Sequence, residues 1–347
     1  MDKVIFIVDD SDTNLAMAEA ALEEYYEVIT LPSAARMFAM FDKVVPDLIL
    51  MDIAMPEMNG FEALHILKES EIYADIPVMF LTSMTDPEVE VRGFELGVVD
   101  FVTKPFTAPV LLNRIKTHLN IDMLIRERTA RLQKLQHGLV FVLADMVENR
   151  DKATGGHVER TAHYLTILIN AIIQRGLYLE EITRYNIESL ISSARLHDVG
   201  KIAIPDAILN KPGKLTPEEF ETMKTHVQAG EHIIDQIISR TGEVGFLRNA
   251  RLFVCYHHER WDGTGYPYGL AGEDIPLQGR IMALVDVYDA LISVRPYKEA
   301  FSEEKAMSII LEGAGRQFDP QLAEIFNDVR DQLYQVTEDM KKQGTGA

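Results

Sequence analysis

The chain has 347 residues, of which 47% are hydrophobic and 25% charged, and this length and composition are typical of a globular protein with two domains. A formal net charge of -20 argues against a nucleic-acid partner, because binding a phosphate backbone requires a basic surface. No apolar run approaches the roughly 20 residues needed to span a bilayer, so we expect a soluble cytoplasmic protein with no membrane contact.

The first 120 residues alternate short apolar runs with helical patterns. The runs lie at 4–8, 48–51, 78–81 and 101–103, and the clearest helical patterns lie at 14–24 and 60–68. This alternation predicts a domain with a parallel α/β sheet over residues 1–120.

Polar side chains follow the ends of these apolar runs. They are Asp9, Asp10, Asp52, Thr82 and Lys104. Ligands of parallel sheets bind outside the carboxyl ends of the strands. Three carboxylates that lie close together there need a cation, and Mg²⁺ is the natural choice when a phosphate also binds. Any one of these acids alone is better explained as a helix N-cap, but the whole set favours a site.

Four motifs of this domain resemble the response-regulator receiver family. They are VDD at 8–10, MDIAMPEMNG at 51–60, LTS at 81–83 and FVTKPF at 101–106. The resemblance implies an α/β doubly wound parallel sheet of five strands, in which Asp52 accepts a phosphoryl group from a cognate sensor histidine kinase. It also implies that Asp9, Asp10, Asp52 and the backbone carbonyl of Ala54 hold Mg²⁺.

The same resemblance implies a switch next to the phosphorylated aspartate. Thr82 would hydrogen-bond the phosphoryl group, and Lys104 would pair with its charge. Phe101 matches the aromatic residue whose ring reorients on activation, and the peptide between Lys104 and Pro105 matches the cis peptide of the family.

Residues 121–140 carry apolar side chains at two interleaved seven-residue spacings. Ile121 and Leu135 form one set, and Ile125, Leu132 and Leu139 form the other. We expect a helical linker that either pairs with a second copy as a homodimer coil or packs as an amphipathic helix on its own second domain. Arg128 occupies one seam position, so such a coil would be short and imperfect.

The following residues, 141–335, have the apolar spacing of helices and no run of strands. The spacing is clearest at Tyr164, Leu165, Leu168 and Ile172, at Ile187, Leu190, Ile191 and Ala194, and at Ile281, Leu284, Val285 and Leu291. We therefore expect an all-α domain here. Residues 336–347 are polar and contain glycine, which indicates a flexible tail.

Five of the ten histidines stand in strongly patterned phrases together with two aspartates. They are His157, His197, His226, His257 and His258, with Asp198 and Asp286. Because Cys255 is the only cysteine, an internal disulfide and a thiolate metal site are excluded. Imidazoles and carboxylates bind divalent metals, and two ions that share a carboxylate can clamp a phosphodiester and activate water. The alternative, a metal-free histidine core, would leave buried polar groups without partners.

These phrases resemble the HD-GYP subgroup of the HD phosphohydrolase superfamily, with His197 and Asp198 as the HD pair and 265–267 as the GYP motif. The resemblance implies two metal ions bridged by Asp198. One ion would be held by His157, His197, Asp198 and Asp286, and the other by Asp198, His226, His257 and His258. Fe or Mn is favoured, and Ni or Zn also suits such ligands.

The resemblance further implies which residues contact the substrate. Lys201 matches the lysine that reaches the scissile phosphate, where it would offset charge that develops in the transition state. Arg295 and Lys298 match basic residues that contact the rest of the substrate. Asp198 and Lys201 are therefore the expected catalytic residues, and the acid that protonates the leaving group is not identified.

One position departs from part of the family. Some members carry a glutamate that supports a third metal four residues before the first histidine of the set, and this chain has Ala153 there. We therefore expect a binuclear site that hydrolyses cyclic di-GMP to linear pGpG, controlled by phosphorylation of Asp52 in a direction that the sequence does not reveal. The alternatives are cyclic GMP-AMP or a linear dinucleotide as the substrate, and a binding module with little turnover that recruits a diguanylate cyclase.

Overall fold

A computed structural model describes residues 3–70, 72–83, 87–151, 156–183, 186–293 and 300–344. The chain divides into two compact units, Met1–Leu132 and Gln133–Ala347. The division falls within one long helix, Ala108–Glu148. None of the helices in the described ranges has the length and apolar character that crossing a membrane requires.

The first unit is a parallel sheet with helices on both faces. Its strands are β1 (Val4–Val8), β2 (Glu27–Leu31), β3 (Leu48–Asp52), β4 (Val78–Thr82) and β5 (Asp100–Thr103), and its helices are α1 (Asp12–Leu22), α2 (Ala34–Met40), α3 (Gly60–Glu69), α4 (Pro87–Glu95) and the start of α5 (Ala108–Glu148). The strand order is β2-β1-β3-β4-β5, and all neighbours are parallel. The predicted five-stranded doubly wound fold is confirmed.

Burial on both faces explains the apolar runs that predicted the central strands. Phe6 of β1 packs in one core with α2 and α3, whereas Ile7 packs in a second core with α1 and the start of α5. Successive side chains of a strand point to opposite faces, so a strand covered on both sides needs a continuous apolar run. The edge strand β2 is only partly buried, and its sequence accordingly lacks such a run.

The second unit is helical. After α5 its helices are α6 (His157–Gln174), α7 (Leu179–Thr183), α8 (Ile187–Ala194), α9 (Asp206–Leu209), α10 (Pro217–Thr241), α11 (Gly245–Tyr256), α12 (Leu277–Ile292), α13 (Glu303–Glu312), α14 (Pro320–Asp328) and α15 (Arg330–Gly344), with 3₁₀ turns at Val199–Ala203 and Gly272–Asp274. The described residues of this unit contain isolated bridges but no β-strand. The expected helical domain is confirmed.

The main core of this unit lies between α6 and α12. The fully buried rings of Tyr164 and Tyr288 meet edge to face with their centroids 5.3 Å apart. Leu168 and Leu284 are also fully buried in the same core. This core fixes the first turn of α6 relative to α12, and both elements carry predicted metal ligands.

Two glycines allow the turn Val199–Ala203 to approach α10 closely. A Cβ atom on Gly200 would lie 1.8 Å from the carbonyl oxygen of His226, and one on Gly230 would lie 3.2 Å from the backbone nitrogen of Gly200. No larger side chain fits at such a contact. The contact brings Asp198, which directly precedes the turn, beside α10.

The end of the chain differs from the expected flexible tail at 336–347. The described residues up to Gly344 continue α15 instead. Leu333 and Thr337 are buried, and the hydroxyl oxygens of Thr337 and Tyr164 lie 2.7 Å apart. These two buried positions are four residues apart on a mainly polar helix, so the composition of the segment does not reveal its packed face.

Candidate metal centre

Two groups of potential metal ligands in the second unit share Asp198. One group is Asp198, His226, His257 and His258, and the other is His157, His197 and Asp198. Within each group the ligand atoms lie within 4.8 Å of one another. The structure therefore brings together the five predicted histidines and Asp198.

Several elements deliver these side chains. His157 is the first residue of α6, His226 lies within α10, and the HD pair joins α8 to the following 3₁₀ turn. Adjacent residues of a helix point about 100° apart. Because α11 ends at Tyr256, His257 and His258 can nevertheless contribute to the same group.

Hydrogen bonds fix the orientation of four imidazole rings. The Nδ1 atoms of His197, His226 and His257 donate to backbone carbonyl oxygens at 2.9, 2.7 and 2.9 Å. Nδ1 of His157 donates to Asp289 at 2.8 Å. Since these oxygens only accept, Nδ1 carries the proton, and Nε2 of a neutral ring keeps a lone pair.

The free Nε2 atoms converge in pairs. Those of His157 and His197 lie 3.3 Å apart, and those of His226 and His257 lie 3.5 Å apart. Two lone pairs that face each other cannot hydrogen-bond. A cation placed between them would satisfy both.

Asp198 lies between the two pairs. Its Oδ1 is 3.4 Å from Nε2 of His226, and its Oδ2 is 3.4 Å from Nε2 of His197. Oδ1 is buried and has no hydrogen-bond partner among the described residues. A buried carboxylate oxygen is costly unless a partner compensates it, and a metal ion beside Oδ1 would do so. Asp198 therefore lies where one carboxylate could contact an ion in each of the two groups.

The protonation states also suit metal binding. Burial and the neighbouring His197 lower the pKa of His257 to about 3. Burial lowers the pKa of His226 as well, and holds that of His258 well below its ordinary value. Burial opposes ionisation of Asp198, but the charge of Lys201 outweighs it and keeps the pKa of this carboxyl well below its usual range. Neutral imidazoles and an ionised carboxylate are the forms that ligate divalent metals, so this set of residues fits such ions.

Asp286 and Lys201 border the two groups. Oδ1 of Asp286, on α12, lies 3.6 Å from Nε2 of His157. Nζ of Lys201 lies 2.7 Å from Asp198 and 3.1 Å from Asp151. The pKa of Lys201 is raised above its ordinary value. Burial alone would lower this pKa, but the charges of the two carboxylates outweigh the effect of burial. Lys201 is thus held as a cation beside Asp198.

Two buried acids behind His157 were not predicted from the sequence. Asp289 accepts from Nδ1 of His157 and, at 2.6 Å, from Nε of Arg160. Glu148 accepts the backbone N–H groups of His157 at 2.6 Å and of Val158 at 3.1 Å. Asp289 lies three residues after Asp286 on the same helix, which is a spacing that could have identified it. Glu148 has no comparable signal in its local sequence.

The GYP motif packs against one of the candidate metal-ligand histidines. The ring of Tyr266 stacks on that of His258 with a centroid distance of 4.7 Å and an interplanar angle of 26°. A Cβ atom on Gly265 would lie 2.4 Å from the backbone nitrogen of Arg260, so only glycine fits there. The buried carboxylate of Glu259 accepts the backbone N–H groups of residues 268–270 and fixes the loop that follows.

In the first unit, the predicted acids meet at the carboxyl edge of the sheet. Asp9, Asp10 and Asp52 form a third group of potential metal ligands. Nζ of Lys104 lies 2.6 Å from Oδ2 of Asp9 and 2.5 Å from Oδ1 of Asp52. The backbone N–H of Ala54 donates to the other oxygen of Asp52 at 3.2 Å. The arrangement is a carboxylate cluster with one lysine as its counter-ion.

The predicted switch residues Thr82 and Phe101 lie on β4 and β5. Thr82 ends β4 and is buried, and the peptide between Lys104 and Pro105 is cis, as the resemblance implied. The ring of Phe101 is also buried. It packs so closely on Gly93 that a Cβ atom there would lie 2.3 Å from the ring. Its ring therefore points into the first unit in this structure.

Three predictions fall on residues outside the described ranges. Arg295 and Lys298 were expected to contact the substrate, and Ala153 was the basis for excluding a third metal. They stay predictions from the sequence alone.

Comparisons with known proteins agree with these two units. A family model described as "HD domain" matches residues 141–322, which is more than half of the chain. The chain belongs to the HD domain family. In this HD-domain protein, residues 5–116 match a second model, "Response regulator receiver domain". The predicted combination of a receiver and an HD output domain is confirmed.

Curated relatives of the HD-domain protein cover most of its length. It is 42% identical over 337 residues to a "Probable cyclic di-GMP phosphodiesterase" of Vibrio cholerae. The matched region covers 93% of this chain and 76% of that protein. It is 36% identical over 297 residues to the "Cyclic di-GMP phosphodiesterase response regulator RpfG" of Xanthomonas campestris. The matched region covers 84% of this chain and 77% of that relative. It is also 36% identical to a "3'3'-cGAMP-specific phosphodiesterase 2" of Vibrio cholerae, over 63% of this chain and 39% of that protein.

Proposed function

We propose that this chain is a metal-dependent phosphodiesterase that hydrolyses cyclic di-GMP to linear pGpG, and that phosphorylation of Asp52 controls its turnover. The observation that carries the proposal is the convergence of unprotonated Nε2 atoms on Asp198, whose buried Oδ1 has no hydrogen-bond partner among the described residues. The names of the relatives support the choice of substrate.

The proposed centre holds two ions. His157, His197, Asp198 and Asp286 would bind one, and Asp198, His226, His257 and His258 the other. Bound divalent ions would polarise the phosphodiester and supply an activated water. Fe or Mn is the favoured occupant, and Ni or Zn also suits imidazole and carboxylate ligands.

The protein groups around the centre have separate tasks. Asp198 would hold both ions at a fixed separation. Lys201, a partly buried cation 2.7 Å from Asp198, would offset negative charge on the phosphate as the bond breaks. Tyr266 would keep His258 in place through the stacked contact of their rings. Arg295 and Lys298 would contact the distal part of the dinucleotide.

The first unit would receive the signal. A cognate sensor histidine kinase would phosphorylate Asp52 with Mg²⁺ held by Asp9, Asp10, Asp52 and the carbonyl of Ala54. Thr82 would bind the phosphoryl group, and Lys104 would exchange its present contact with Asp52 for the new charge. The buried ring of Phe101 would change orientation in response.

A second candidate substrate is cyclic GMP-AMP. The observation that favours it is the 36% identity to a relative named as specific for 3'3'-cGAMP. Both dinucleotides offer the same phosphodiester to the metal centre and differ in one base. The base must then be selected outside the ligand set described above.

The deciding experiment is side-by-side turnover of cyclic di-GMP, cyclic GMP-AMP and pGpG by the full chain, purified anaerobically and loaded with Fe or Mn. We expect cyclic di-GMP to be cleaved fastest and pGpG to accumulate. The His197→Ala, Asp198→Ala double variant should be inactive, and residual turnover would reveal a contaminant. Metal-loaded protein that cleaves none of the three compounds would refute the enzymatic proposal and favour a binding module, such as one that recruits a diguanylate cyclase.

Receiver function is tested on the same protein. A small phosphodonor such as acetyl phosphate should label the chain in the presence of Mg²⁺, and Asp52→Asn should remove the label. Turnover of cyclic di-GMP should change on phosphorylation of the wild-type chain but not of Asp52→Asn. Equal turnover before and after labelling would overturn the proposed control.

A further inference from the structure

Within the second unit, α5 has one face packed and another face exposed. Val140, Ala144 and Val147 are buried at 4–7% exposure, and Val140 joins a small core with Leu196. The apolar side chains on a different side of the same helix are largely open. Their exposed fractions are 58% for Leu135, 56% for Leu139, 52% for Val142 and 60% for Met146. The packed face therefore leaves this apolar stripe uncovered.

The exposed stripe continues a strict heptad spacing along the helix. Its positions follow one another at alternating steps of four and three residues, and they are Ile121, Ile125, Arg128, Leu132, Leu135, Leu139, Val142 and Met146. We call these eight positions the α5 seam. An unbroken alternation of three and four residues keeps one face of a helix directed at a partner helix when the two supercoil. The repeat extends beyond the linker and reaches two residues before Glu148.

We propose that the α5 seam is the interface with a second copy of this chain, with the two helices parallel and in register. A symmetric pair places each seam residue against its own counterpart, so a single repeat is complementary to itself. Packing of α5 on its own unit uses Val140, Ala144 and Val147, and it does not compete for the seam.

Charge also favours a second copy at this segment. Residues 121–146 contain four basic and three acidic residues, a balance of +1, whereas the whole chain carries -20. Two strongly acidic chains repel each other least where their local charge is close to zero. The exception within the seam is Arg128, because a parallel pair places two guanidinium groups together there. Arg128 should therefore weaken the dimer.

Cross-linking of the full chain tests register and orientation. Cys255 is 1% exposed, so a single introduced cysteine is the main reactive thiol. A short bis-maleimide should join Leu139→Cys chains into a covalent dimer. Gln133→Cys is the matched control, because Gln133 is exposed but lies one heptad before the packed Val140, and it should remain monomeric. An equal yield of covalent dimer from both variants would overturn the proposal. No covalent dimer from Leu139→Cys, as expected for helices that pair out of register, would overturn it as well.

Sedimentation of the full chain tests the energetics independently. Leu135→Glu with Leu139→Glu should shift the protein to monomer, and Arg128→Leu should move dissociation to lower concentration. Gln133→Glu should leave the dimer unchanged. Because the substituted side chains are exposed, each variant should keep the helical circular dichroism spectrum of the wild type, whereas loss of the dimer should lower its unfolding temperature only modestly. A wild-type chain that sediments as a monomer at micromolar concentration, with the seam covered by another part of the same chain, would also overturn the proposal.

Discussion

His157 and His197 direct their Nε2 atoms at each other across 3.3 Å, although each ring already donates its Nδ1 proton elsewhere. Such a pair is stable only when a cation or a proton lies between the two nitrogens. The pKa of His157 is raised above its ordinary value. Burial alone would lower this pKa, but the hydrogen bond to Asp289 outweighs the effect of burial. Asp289 therefore orients the ring of His157 and makes its Nε2 atom a more basic potential ligand.

The first prediction concerns Asp289, which orients the ring of His157. Asp289→Asn removes the charge that fixes Nδ1 as the donor, so we expect metal affinity to fall by roughly 10- to 100-fold. Competition with a chromophoric chelator measures it. Asp331→Asn is the control, because the side chain of Asp331 is 92% exposed. Equal affinities of the two variants would show that Asp289 does not support the centre.

A second prediction concerns Glu148, which caps the start of α6. Glu148→Ala leaves two N–H groups without their carboxylate, so the free energy of unfolding should fall by about 1–3 kcal/mol. Denaturant unfolding measures the change. Glu159→Ala alters an exposed acid of the same helix and should have little effect. A Glu148→Ala chain as stable as Glu159→Ala would contradict the capping role.

The third prediction concerns the contact of Gly200 with α10. A methyl group at Gly200 would lie 1.8 Å from the carbonyl oxygen of His226. We expect Gly200→Ala to lower the free energy of unfolding by about 3 kcal/mol or more. Gly138→Ala is the matched control, because no atom beyond the adjacent helix backbone lies within 4 Å of the added Cβ and alanine favours a helix by about 0.5–1 kcal/mol. Similar effects of both substitutions would refute a tight contact.

A fourth prediction concerns Cys255. Burial, together with the charge of Glu231, raises the pKa of this thiol to about 12. At about pH 8.5 its thiolate fraction should therefore be roughly a thousandfold below that of an unfolded cysteine. Alkylation by iodoacetamide, followed by mass spectrometry, should be slow in the folded chain and fast in denaturant. Equal rates in the two conditions would show that the thiol is accessible in the fold.

The sequence was most informative where one local pattern has one physical cause. Continuous apolar runs predicted β1, β3 and β4 because these strands are covered on both faces. The edge strand β2 was not visible in this way, and α15 was mistaken for a tail because its packed face is narrow.

The same distinction holds within the site. The HD pair and the GYP motif are local phrases, so they could be recognised in the sequence. Asp289 and Glu148 support His157 from α12 and from the end of α5. Contacts of this kind depend on how helices pack, and neither residue stands in a recognisable phrase.

We propose that Asp198 bridges two metal ions, and the metal content of the full chain purified anaerobically tests this role most directly. Elemental analysis should find about two divalent ions per chain in the wild type and in Asp331→Asn, and almost none in Asp198→Ala, because both ions lose the shared ligand. An Asp198→Ala chain that keeps two ions, or a wild type with about three, would contradict the account.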